Sequence, residues 1–141
     1  MSEPNGRPDT ERRSEPMSLR LRALSAVLTV DDLEHSRRFY VDGLGFTVRE
    51  RWEHEGELRG YDLVAGYASL GLSQDDWAKG RDRVKGVGFR LYAETAQDLD
   101  GLAERFRAGG IEVDGPRAEP WGQRTVTVVD PDGFKLTLYG S

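Results

Sequence analysis

The chain has 141 residues, a formal net charge of −5 and no cysteine. That length suits one domain or two small modules sharing a core. The missing thiols exclude disulfides, thiolate nucleophiles and Cys-ligated zinc, and the mild acidity argues against nucleic acid or an anionic membrane as the main partner. No apolar run approaches the roughly 20 residues needed to span a bilayer.

Residues 1–20 open with MSEPNGRPDTERRSEPMS, rich in charge, Pro, Ser and Gly and without the apolar core of a signal peptide. They read as a disordered tail on a cytoplasmic protein. The first strand is expected where Leu24, Ala26, Leu28 and Val30 alternate with Ser25, Val27 and Thr29. Asp31 and Asp32 look like caps of a helix that carries Leu33, Phe39, Tyr40 and Leu44 inward and ends at Gly43 or Gly45. Three strands follow, over 46–54, 58–64 and 67–72, with turns at Gly56 and Gly66. The polar stretch from Ser73 to Gly86 connects two halves, and its GRDRVKG run reads as a solvated loop.

The order then repeats. Val87, Phe89, Leu91 and Ala93 alternate as a strand, and Thr95 is the expected cap of a helix whose Leu99, Leu102, Ala103 and Phe106 form one apolar stripe. Gly109-Gly110 closes that helix, a strand is expected over 111–119, and a terminal hairpin turns at Asp130-Pro131-Asp132-Gly133. The DPDG carboxylates serve that turn. The pattern is β-α-β-β-β twice: an α+β chain of two βαβββ modules (21–74 and 86–141, joined by 75–85) in a single domain over 21–141. A lone module would curl into an open cleft with an exposed edge, so two should pair.

Three segments carry a family resemblance: Val30 to Tyr40 with Gly43-Leu44-Gly45-Phe46; Ala108-Gly109-Gly110-Ile111; and Pro120-Trp121-Gly122-Gln123-Arg124 with the DPDG turn. Together the chain resembles the vicinal oxygen chelate superfamily of glyoxalase I, bleomycin-resistance proteins and extradiol dioxygenases, and leans toward the bleomycin-resistance-like branch. The resemblance implies curled mixed sheets forming a cleft, completed in a homodimer. In the enzymes it also implies a divalent metal held by His, Glu or Gln. Aligned without gaps, the expected donor positions hold Ser25, Gly86 and Thr137, and the last strand of the first module offers no His, Glu or Gln. The expectation is therefore no metal, no cofactor and no catalytic residue, leaning away from an enzyme.

Of the two histidines, His35 falls among polar helix residues and His54 at a hairpin tip among Glu53, Glu55 and Glu57. The face expected to line the cleft carries Ser25, Val27, Thr29, Gly88, Arg90, Tyr92, Lys135, Thr137 and Tyr139, small, aromatic and cationic groups without a carboxylate pair. Trp52, Trp77 and Trp121 are candidate stacking platforms; Arg59 and Arg124 are weaker candidates for an anion. The expected function is metal-independent binding of a small aromatic natural product or antibiotic, with Trp52, Trp77, Trp121, Arg90, Tyr92, Tyr139, Ser25 and Thr137 as ligand contacts. The alternative is a metal-dependent lyase, isomerase or dioxygenase of the same superfamily.

Overall fold

The computed structural model describes residues 18–140; most of the expected N-terminal tail, residues 1–17, lies outside the described residues. Strands β1 (Ala26–Val30), β2 (Thr47–His54), β3 (Glu57–Ala65) and β4 (Ala68–Gln74) form one four-stranded sheet, sheet A. Strands β5 (Arg90–Glu94), β6 (Asp114–Ala118), β7 (Arg124–Val129) and β8 (Lys135–Gly140) form the other, sheet B. The orders are β1-β4-β3-β2 and β5-β8-β7-β6. In each sheet the first strand lies parallel to the last and the remaining pairs are antiparallel. The two halves share one topology, as the repeated pattern predicts.

Each sheet is covered on one face by a helix. Helix α1 (Leu33–Arg37) starts at Asp32, whose carboxylate accepts from the His35 N–H. It widens into a π-helical segment, Arg38–Leu44, that ends at Gly45 with φ 101°. Helix α2 (Leu99–Ala108) buries Leu99, Leu102, Ala103 and Phe106, the predicted stripe. Its cap is Asp98, not Thr95. The Asp98 carboxylate accepts from the N–H groups of Asp100 and Gly101, whereas the Thr95 hydroxyl closes a local turn on Gln97.

Other boundaries moved for local reasons. Leu24 is 86% exposed and precedes β1 rather than packing under the helix. Val87 is likewise exposed: Gly86 and Gly88, at φ 79° and 71°, break the backbone there, and β5 begins only at Arg90. The strand expected over 111–119 shortens to Asp114–Ala118. The GRDRVKG loop is not wholly solvated. Lys85 is buried, its ammonium bridging Asp31 at 2.5 Å and Asp75 at 2.9 Å.

The DPDG turn does more than reverse the chain. Asp130 accepts from the N–H groups of Asp132 and Phe134, and its second oxygen accepts the hydroxyl of buried Tyr40 at 2.7 Å. Asp132 accepts from the Asp31 N–H at 3.1 Å and the Ser36 hydroxyl at 3.4 Å. The turn thus ties the second module to the first helix. Burial pushes both carboxyl groups above the usual aspartate range, and burial with the Asp130 charge pushes the Tyr40 hydroxyl up. Ile111 adds an apolar contact, lying where any side chain at Gly43 would have to go.

Candidate functional site

Strand alternation leaves each sheet an open face opposite its helix. On sheet A, Leu28, Val30, Tyr61, Leu63, Leu70 and Leu72 point to the core. The other face carries two cross-strand rows, Val27–Gly71–Asp62–Glu50 and Thr29–Ser73–Gly60–Trp52. The glycines give this face its character. A Cβ at Gly60 would sit 2.6 Å from Cε3 of Trp52, and one at Gly71 would sit 2.8 Å from its Cη2. The indole therefore reaches from β2 across β3 to β4 and rests on two side-chain-free positions. Being half-buried, it offers its remaining surface to the open side. Ser25 meets Ser69 hydroxyl to hydroxyl at 2.5 Å on the adjoining edge. A bulge in β2 between Val48 and Glu50 accompanies an Arg49–Asp62 ion pair with Nε–Oδ2 at 2.7 Å.

Sheet B presents a cavity of about 470 Å³ lined by Arg90, Lys135, Thr127, Thr125, Arg117 and Glu119 among others. Arg90 and Lys135 stand side by side on parallel strands. The Arg90 guanidinium donates to the Thr137 hydroxyl at 3.0 Å, and that hydroxyl meets Thr127 at 2.8 Å. Thr137 is only 1% exposed although it points to the open side, because these partners cover it. Tyr92 and Tyr139 stack beside it, ring centroids 4.8 Å apart.

The structure thus gathers the predicted residues into two groups: Ser25 and Trp52 on sheet A, and Arg90, Tyr92, Thr137 and Tyr139 on sheet B. No strand of one sheet pairs with a strand of the other. Trp77 belongs to neither group; Arg81 and Lys85 lie over its ring at 4.7 and 5.1 Å. Trp121 is exposed in the loop before β7. Arg124 grips Asp100 through two hydrogen bonds, and Arg59 lies near Glu57. The expectation of an open side without a carboxylate pair needs correcting, since Glu50 and Asp62 are cross-strand neighbours there. Asp62 and Glu50 stand on sheet A, and Glu112, Asp114 and Glu119 line the sheet B cavity. The expected face took in only β1, β5 and β8; these acids come from β2, β3 and the β6 region.

A sequence profile of the glyoxalase/bleomycin resistance protein/dioxygenase superfamily matches residues 22–138. The chain belongs to this superfamily. No curated protein matches it. Among solved structures it is similar to a glyoxalase/bleomycin resistance protein from Streptomyces sp. CB03234, at 28% identity and TM-score 0.63, covering 82% of this chain and 97% of that one. It is also similar to TnmS3, an antibiotic binding protein from the same organism, at 27% identity and TM-score 0.65, covering 86% and 97%. TioX from Micromonospora sp. ML1, at 21% identity and TM-score 0.66 over 82% and 95%, shares the fold.

The superfamily's enzymes raise the question of a divalent metal, and the donor set does not fit one. The Ser25 hydroxyl is engaged with Ser69, and Thr137 with Arg90 and Thr127. Gly86 cannot be read as a lost ligand that one substitution would restore: a Cβ there would lie 2.3 Å from the Gly133 carbonyl. The open-side positions of β4 are Ser69, Gly71 and Ser73. Among the described residues no group of three or more His, Asp or Glu side chains converges. His54 is solvated at its hairpin tip beside Glu55. Hydroxyls and backbone are weak donors beside imidazole and carboxylate.

Proposed function

We propose that this superfamily member is a metal-independent binding protein that sequesters an aromatic natural product, antibiotics among them. It would act as a cytoplasmic homodimer in which the open faces of sheets A and B from two copies enclose the ligand. The observation that carries this reading is Trp52 laid across Gly60 and Gly71, a flat aromatic surface built into a sheet. An indole held this way loses little freedom when a planar ligand stacks on it. Arg90, held by Thr137, supplies a fixed donor for a carbonyl, phenolate or carboxylate, with Lys135 beside it. Tyr92, Tyr139 and Ser25 complete the contacts. The likeness to TnmS3, described as an antibiotic binding protein, supports the same reading.

The test is native mass spectrometry of the full chain with a panel of aromatic and glycosylated antibiotics, with and without chelator. The expected result is a dimer that gains two intact ligand masses, unaffected by chelator, with Trp52→Ala abolishing the gain. A ligand released with altered mass, or binding that requires added metal, overturns the proposal in favour of catalysis.

A further inference from the structure

Arg90 and Lys135 are register partners on the parallel strands β5 and β8, so two cations stand side by side on the open face of sheet B. Like charges set against each other on one sheet face repel. Arg49, Arg117 and Arg124 each meet a carboxylate, Asp62, Asp114 and Asp100. Among the described residues no acid lies within ion-pair distance of Arg90 or Lys135.

The acids that share their cavity of about 470 Å³ are set apart. Glu112, Asp114 and Glu119 belong to β6 and its flanks, and β7 separates β6 from β8. Two strand spacings amount to about 9–10 Å, beyond the ~8 Å over which exposed charges act at physiological salt. Asp114 is also paired with Arg117, and Glu119 accepts from the Thr125 hydroxyl. The cavity is thus cationic on its β5–β8 side and acidic on its β6 side. The guanidinium is held in place. Its Nη1 donates to the buried Thr137 hydroxyl at 3.0 Å, which meets Thr127 at 2.8 Å. That contact uses one of the five guanidinium N–H groups; the others have no protein acceptor among the described residues.

We propose that the ligand of this site is an aromatic acid, its carboxylate held bidentate by Arg90 with the Lys135 ammonium alongside. The inference rests on the binding role proposed above and narrows it, from aromatic compounds in general to those that are anionic at neutral pH. A planar carboxylate matches the free N–H groups of the Arg90 fork, and its charge relieves the repulsion between the two cations. Tyr92 stands two residues farther along β5, about 6.6 Å, and stacks on Tyr139 with ring centroids 4.8 Å apart. The ring system of the acid would run from Arg90 along the strands toward these tyrosines. A neutral aromatic of the same shape would leave the cations unpaired, and an aromatic cation would be repelled by them. The net charge of the chain, −5, offers an acid no long-range attraction, so the selectivity is local to this pair.

Matched pairs isolate the charge. Phenazine-1-carboxylic acid is compared with phenazine-1-carboxamide, and naphthalene-2-carboxylic acid with naphthalene-2-carboxamide, each titrated into the full chain at neutral pH by calorimetry, beside the antibiotic panel. The expected result is that each acid binds at least tenfold tighter than its amide and that the gap narrows as sodium chloride is raised. Arg90→Gln/Lys135→Gln, with the circular dichroism of the wild type, is expected to close the gap. Three results overturn the inference: equal affinity of acid and amide, a preference for the acid that survives the double variant, or retention of neutral or cationic panel compounds while neither acid binds. Each of these leaves the binding role standing. Only a chain that retains neither the acids nor any compound of the panel defeats both, so the two readings fail separately.

Discussion

Gly71→Ala tests whether the Trp52 platform exists. The backbone at Gly71 does not need glycine, since its φ is not positive. In an ordinary strand the change would stabilise by about 0.4–1 kcal/mol through the unfolded state. Here the new methyl would lie 2.8 Å from Cη2 of Trp52 and 3.0 Å from Cγ2 of Val27, against the ~3.5–4.0 Å of a relaxed carbon contact. The indole must lift or tilt. Overpacking of this kind costs about 1–3 kcal/mol, so the net effect is a loss of roughly 0–2.6 kcal/mol. In a Trp52→Ala background the tightest contact is gone and only the approach to Val27 remains, so the same glycine change should cost markedly less. The two substitutions should therefore couple by ~1–3 kcal/mol in a double-mutant cycle. Urea unfolding of the four proteins measures the coupling whatever the ligand is. For a compound retained in the antibiotic panel, a tilted platform forfeits stacking worth about 0.5–1.5 kcal/mol, a loss of roughly 2- to 12-fold in affinity. Additive effects, with Gly71→Ala costing as much without the indole as with it, would refute the placement. Gly60 is a poorer probe: its Cβ would also lie 2.5 Å from the Leu72 carbonyl, so strand pairing would suffer as well.

Four further outcomes follow from the same geometry. Thr137→Val keeps the volume but strips the hydroxyl that holds Arg90; thermal unfolding should show a loss of about 1 kcal/mol, with weaker binding of anionic compounds in the panel. Lys85→Met leaves Asp31 and Asp75 without their shared cation, so Tm at pH 7 should fall and the emission of Trp77 should shift, the ammonium above its ring having gone. Tyr40→Phe removes the only side-chain donor to Asp130 among the described residues, which should cost about 1–3 kcal/mol by denaturant titration and raise the Asp130 pKa further. The pH dependence has a definite sign. Asp132 titrates above its unfolded value, so the folded state binds the proton more tightly, and ionising this group costs stability as pH rises through the raised pKa. Asp132→Asn should therefore raise Tm at pH 7, and its advantage over the wild type should shrink as pH is lowered toward the ordinary aspartate range.

Much of the fold was legible because its signals are local. The stripe Leu99, Leu102, Ala103 and Phe106 has helical spacing and is buried as read, and β7, Arg124–Val129, falls where its run of β-branched residues before the DPDG turn places it. What failed were choices between near-equivalent local signals. Thr95 and Asp98 are both capping residues, and only the path of the chain shows which one meets free N–H groups. Leu24 and Val87 continue an alternating pattern past the point where the ladder ends, and periodicity cannot see the end of a hydrogen-bonded pair. The site was less legible for a related reason. Trp52 could be singled out by type, but its setting depends on Gly60 and Gly71, which become its neighbours only through the β2–β3–β4 register. The same holds for DPDG. The turn is written in four consecutive residues, whereas its grip on Tyr40 and Asp31 spans about a hundred residues of sequence and exists only once both modules have formed.

That grip bears on the proposal that the open faces hold a molecule. One deeply buried carboxyl group, Asp130, is committed to the Tyr40 hydroxyl and the N–H groups of its own turn, where it ties one module to the other. Three of the five acids on the open faces are paired with, or bonded to, side chains nearby: Asp62 with Arg49, Asp114 with Arg117, and Glu119 with the Thr125 hydroxyl. A general acid or base needs a free proton site of tuned affinity aimed at the reacting atom, and a metal centre needs several strong donors converging on one point. Beside Glu50 and Glu112, the open faces present a flat indole, a tyrosine stack and a guanidinium next to a lysine. An indole face, stacked phenols and a guanidinium are groups that recognise a ligand's π-surface and charge, which is what the proposed binding role asks of them.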